Sequence, residues 1–150
     1  MNETSENTTT TIPRSDRARL GLTLTALGFL IFTLGSKPEW LGLDRSPVIG
    51  FVQTSVFTIG LGLLCLGGYV SLSALWSGQE KSILADIGPR LMATGYVVAV
   101  FAGMADIFGM GTQPFPAVPF FGPWQAVGVQ VGEAMIALGM LLLVPYHQLR

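Results

Sequence analysis

One carboxylate stands where water should not reach. Glu133 lies inside an uncharged, apolar stretch, nine residues beyond Trp124. At about 1.5 Å per residue it sits about 13 Å along a helix that starts there, close to the centre of a bilayer. An ionisable group at that depth costs at least a few kcal/mol to insert and marks a functional site by default. Gln130 lies one turn away on the same helical face. Gln53 lies about 9 Å below the start of another apolar run by the same rise. These three side chains are expected to converge in one half of the membrane, with Asp106 shallower and Tyr96 deeper. No Lys or Arg is placed to neutralise Glu133, so desolvation favours the uncharged acid. Two chemistries follow. Glu133 is a proton-coupling or cation-binding carboxylate of a small transporter, or it donates hydrogen bonds to Gln53 or Gln130 and ties helices together. The tie asks less of the sequence and is the preferred reading.

Other chemistry is missing from the residue inventory. Cys65 is the only cysteine and lies in an apolar run, so no internal disulfide forms and the residue reads as a small hydrophobe. His147 is the only histidine, which rules out a bis-histidine haem or a His/Cys zinc site within one chain. There is no glycine-rich phosphate loop and no Ser/His/Asp set, so neither a cofactor nor an enzymatic activity is expected. A net charge of −1 without a basic patch argues against a nucleic-acid partner.

The elements that must hold Glu133 follow from composition. Half of the 150 residues are hydrophobic and 11% are charged, against about 25% charged in soluble domains. Val48 to Gln79 and Ile107 to Gly132 contain no charge at all. At roughly 20 residues per crossing, the chain has room for four transmembrane helices and short connections. The expected fold is therefore an all-α integral membrane protein, a four-helix transmembrane bundle over 18–146. Its helices are expected at 18–35, 47–76, 90–108 and 124–146. The Thr-rich segment 1–17 reads as a disordered tail and 147–150 as a short end. Residues 77–88 read as a polar connection, with Pro89 in the first turn of helix three. A cleaved signal peptide is the competing reading of helix one, disfavoured by Lys37 just after the candidate cut. Gly109 to Pro123 holds four prolines and three phenylalanines, which forbids regular structure and suits a stiff apolar cover at the membrane interface.

Orientation rests on Lys and Arg in the short loops. Arg14, Arg17, Arg19, Lys81, Arg90 and Arg150 fall on one side, and Lys37 and Arg45 on the other. Both termini are then expected in the cytoplasm, with Trp76 and Tyr146 at the inner boundary and Trp40 and Trp124 at the outer. A prokaryotic plasma (inner) membrane suits the compact size. Close helix packing is expected from Gly128 and Gly132, a GxxxG pair, and from Gly95, Ala99 and Gly103.

An internal repeat is also visible. Residues 52–64 and 129–141 share six of thirteen positions, including Gln53 with Gln130, and Glu133 then corresponds to Val56. Arg19-Leu20 and Thr23 align with Arg90-Leu91 and Thr94 in the same order. Two tandem hairpins related by an axis along the membrane normal are expected. The leading functional expectation is a non-enzymatic accessory subunit or a self-associating bundle, with the lipid bilayer and a membrane-protein partner or second copy as its contacts. The rival is a small proton-coupled transporter working through Glu133.

Overall fold

A computed structural model describes residues 12–42, 50–76, 79–110 and 121–146. It is all-helical: α1 Arg14–Ser36, a short 3-10 turn Pro38–Leu41, α2 Phe51–Leu75, α3 Ile83–Gly103 and α4 Pro123–Leu142. These four α-helices, of 23, 25, 21 and 20 residues, are each long and apolar enough to cross a membrane. They would measure about 30 to 37 Å. Among the described residues there is no strand. The expected tail up to residue 11, positions 47–49 of helix two, most of the Pro/Phe segment and the end with His147 lie outside the described residues.

Five boundaries differ from the sequence reading by four residues or more. Helix one starts four residues earlier, at Arg14, because Pro13 pre-sets the backbone and its carbonyl accepts from the Asp16 and Arg17 amides. Arg14, Arg17 and Arg19 therefore stand on the first turns of α1. Helix two begins at Phe51, with Gly50 as its N-cap. Helix three begins seven residues earlier than expected, at Ile83, and Pro89 lies inside it. The start signal is Ser82, whose hydroxyl accepts from the Ala85 amide at 3.2 Å. Pro89 removes one amide from the ladder, the one that would reach Ala85. The helix nevertheless continues through it, with Gly88 closely packed on α4. The same helix ends early, at Gly103, and turns over residues 104–109. Gly109, at φ 73°, closes those turns, and the Met110 amide reaches the Ala105 carbonyl at 2.9 Å. Helix four stops at Leu142, since Pro145 cannot continue a helix.

The helices pair as two antiparallel hairpins, α1 with α2 and α3 with α4. Glycine makes each pair close. In the first hairpin Gly21, Gly28 and Gly35 recur every seven residues, and Gly60 and Gly67 answer from α2. A Cβ at Gly28 would meet the Leu63–Leu64 backbone, and one at Gly67 would lie 2.8 Å from the Gly21 carbonyl oxygen. In the second hairpin a Cβ at Gly95 would lie 2.6 Å from the Gly132 carbonyl oxygen, and one at Gly139 would lie 2.6 Å from that of Gly88. Seven is the period of a seam that stays on one side of a helix pair. In lipid, where burial from water no longer drives association, such van der Waals contact holds helices together. The expected packing residues Gly95, Ala99, Gly128 and Gly132 all lie in this second seam, with Gly128 against Ala102. Gly103 does not: its nearest neighbours are the Val129 and Thr54 side chains at 3.6 and 3.7 Å, so it faces the junction with the first hairpin.

The two interlocks share one pattern. Gly88 and Gly95 stand 67 residues after Gly21 and Gly28, and Gly132 and Gly139 stand 72 after Gly60 and Gly67. Gly42 and Gly109, both at positive φ, are also 67 apart. In this register Glu133 corresponds to Leu61, and Gln53 to Gln125, five residues from the alignment read off the sequence.

The hairpins meet along a narrower joint in which α2 touches α3 and α4. Its middle is Leu61, Ala99 and Ile136, all buried, with Tyr96 and Met140 packed around them. The Tyr96 hydroxyl donates to the Thr58 carbonyl across it at 3.4 Å. One end is fastened by Trp76, Ala85 and Leu143. Trp76, expected at a lipid boundary, is instead 4% exposed and donates from Nε1 to the Leu143 carbonyl at 2.7 Å. Trp40, Trp124 and Tyr146 are exposed as expected of interfacial rings.

Candidate functional site

Among the described elements α1 contacts α2 and the short turn that follows α1 and no other, so a cleft lies between α1 and α4, with α2 at its back. Its volume is about 400 Å³. Gln53, Gln130 and Glu133 all line it, so three of the four expected polar residues share one space. Helix α2 supplies Gln53 from its first turn, and α4 supplies Gln130 and Glu133 one turn apart. Phe57 and Val129 form apolar walls, and Lys37 stands where α1 ends. The Lys37 ammonium lies 5.9 Å from the centre of the Trp40 ring, a distance at which a cation is attracted by the ring face.

Glu133 is half-buried, and among the described residues it has no hydrogen-bond or ion-pair partner. Among the described residues no hydrogen bond joins it to Gln53 or Gln130, so the expected tie between helices is not formed. Its acceptors, or its acid proton, face the cleft and whatever fills it. A single carboxylate flanked by two carboxamides can receive a cation or a proton and can hydrogen-bond a polar solute. Among the described residues no three His, Cys, Asp or Glu side chains gather as metal ligands.

Asp106 is not in this cleft. It lies in the turns after α3, half-buried, with Oδ1 enclosed and without a partner. Its depth along the chain pointed to the right end of the molecule, but the early end of α3 at Gly103 turns it away from the Glu133 face. Sequence reasoning missed Gln125. It is 8% exposed, its Oε1 accepts from the Gly122 amide at 2.6 Å, and its Nε2 has no partner. The signal was present: Gly-Pro-x-Gln puts a glutamine at the third position of a helix, where it reaches back to the free amide before the first turn.

The site therefore belongs to an all-helical fold with four helices long and apolar enough for a membrane, with one acid and two amides lining a cleft between the hairpins. No protein-family model, no curated protein and no solved structure matches the chain.

Proposed function

We propose that this chain is a multi-pass membrane protein and a small proton-coupled transporter, in which Glu133 binds in turn a proton and a small cationic or hydrogen-bonding solute. The observation that carries the reading is the meeting of Gln53, Gln130 and Glu133 in one cleft, from three separate turns of two helices. Among the described residues this acid has no partner, and protons and cations are the occupants an intramembrane carboxylate serves best. The apolar walls suit an organic cation with a hydrocarbon body.

The test is reconstitution into liposomes with an entrapped pH indicator. An outward gradient of a lipophilic ammonium or phosphonium ion should drive inward proton movement. Glu133→Gln should reduce that flux at least tenfold while melting like the parent chain. Proton flux unaltered by Glu133→Gln, or absent for every cation tried, would end the proposal.

The lateral opening between α1 and α4 favours one further reading, that of an accessory subunit or self-associating bundle. A helix from a partner or a second copy would there complete the hydrogen bonds of Gln53, Gln130 and Glu133. Copurification in mild detergent of a stoichiometric partner that is lost on Glu133→Leu would select it.

Two expectations accompany the proposal. Arg14, Arg17, Arg19, Lys81 and Arg90 lie at one end of the helices and Lys37 at the other, which supports cytoplasmic termini in a plasma (inner) membrane. The matched glycine interlocks support descent of the two hairpins from one duplicated unit.

A further inference from the structure

A second cavity lies on the other flank of the joint between the hairpins. It has a volume of about 390 Å³ and is lined by α2 and α3, with Gly62, Cys65, Tyr69, Pro89, Ala93 and Tyr96 among its walls. Gly60 and Gly67 face α1, and Gly62, Cys65 and Tyr69 fall on the opposite side of α2 by the helical repeat. The small residues Gly62 and Ala93 leave the space empty. Along either helix the groove extends seven residues, from Gly62 to Tyr69 and from Pro89 to Tyr96. That is about 10 Å parallel to the helix axes, the direction in which a lipid chain lies.

The ends of the groove differ. Toward the middle of the helices it closes on Tyr96, whose hydroxyl is already engaged with Thr58. Toward the basic end it finishes at Tyr69, and the Lys81 ammonium lies 5.8 Å from the centre of that ring. Arg90 follows Pro89 at the same end. It pairs with Asp86 at 3.1 Å, both side chains largely exposed, and such a pair is readily shared with another anion. A hydrocarbon slot that ends beneath two cations matches one molecule of the surroundings in both parts. We propose that the groove between α2 and α3 holds one acyl chain of an anionic phospholipid, with its phosphate against Lys81 and Arg90. This site is independent of the Glu133 cleft, and neither proposal depends on the other.

A basic residue near the membrane surface contributes about fivefold to the retention of an anionic lipid. The experiment is native mass spectrometry of the intact chain released from mixed phosphatidylglycerol and phosphatidylcholine bilayers. The parent should retain one phosphatidylglycerol in preference to phosphatidylcholine. Lys81→Glu with Arg90→Glu should lower that preference at least tenfold, and Ala93→Phe, at an exposed groove position, should remove the bound lipid of either kind. Cys65, the only thiol, gives a second reading: a membrane-permeant maleimide should label it more slowly in phosphatidylglycerol than in phosphatidylcholine, and the double charge reversal should abolish the difference. Equal retention of the two lipids, or a bound lipid that survives Ala93→Phe, would overturn the proposal. So would rapid Cys65-to-Cys65 crosslinking in the membrane, which would mean that a second copy fills the groove.

Discussion

The two hairpins are built alike and finished differently. Both close on glycine pairs seven residues apart, in the same antiparallel register, so that one backbone rests on the other. One residue beyond the glycine at mid-seam, the first hairpin places Leu61, 3% exposed and packed on Ala99 and Ile136. The second places Glu133, lining a cleft. In equivalent positions, then, one hairpin has a residue that locks the joint and the other a residue that leaves a vacancy beside it. At the seam glycines an added Cβ would meet backbone atoms of the facing helix. The residue next to it is free to carry chemistry.

Exchanging those two residues should break the comparison most strongly. Leu61→Glu buries an unpaired carboxyl between Ala99 and Ile136 and should cost about 3 kcal/mol or more, enough to prevent assembly. Glu133→Leu should leave stability equal or higher while abolishing proton-linked flux. Denaturant titration in bicelles, with helix content followed by circular dichroism, reads the first effect, and the liposome assay reads the second. If Glu133→Leu also fails to fold, the hairpins are not separated into locking and working halves.

Next in size are the seams themselves. Gly28→Ala and Gly95→Ala each drive a methyl into backbone atoms of the facing helix and should cost about 1–3 kcal/mol apiece. Similar losses in the two variants would sharpen the likeness of the hairpins. Gly103→Ala, with nothing closer than 3.6 Å, should stay within about 0.5 kcal/mol and serves as the control. Trp76→Phe removes the buried 2.7 Å bond to the Leu143 carbonyl and should cost about 1–1.5 kcal/mol, loosening one hairpin from the other without opening either seam. Tyr96→Phe loses only the long bond to the Thr58 carbonyl, so a change of about 0.5 kcal/mol is expected, detectable in the same titration as a small shift in midpoint.

Much of this architecture is legible without coordinates. Apolar runs separated by short polar connections announce four helices, and the depth of Glu133, Gln130 and Gln53 along their helices puts them at one level, where one cleft is lined by all three. Depth is a one-dimensional quantity that the helical rise converts directly. Direction around the helix is harder. Asp106 lies at a suitable depth and misses the cleft because the turns at 104–109 reorient it. Pro89 dominates a local reading of where α3 starts, whereas the weaker Ser82 cap sets the boundary and close contact at Gly88 accompanies the helix through the proline. A four-residue spacing finds Gly128 and Gly132 but misses Gly21, Gly28, Gly35, Gly60, Gly67, Gly88 and Gly139. Four residues describes neighbours on one turn, and seven describes the line along which two helices stay in contact. Side-chain identity pairs the two hairpins in one register, and the glycine contacts pair them five residues away, because apolar letters repeat cheaply and close backbone contacts do not.

Among the described helices α1 packs on α2 alone, which bears on how the molecule is made. Each seam joins two helices that follow one another in the chain, so each hairpin can close while the rest is still being synthesised. The joint between hairpins comes last, as the docking of two finished pieces. The polypeptide should then tolerate a break between residues 76 and 82, the halves inserting separately and finding each other in the membrane through Trp76, Leu143 and the Leu61 contact. Two half-length chains coexpressed in one cell would, on this account, rebuild the cleft.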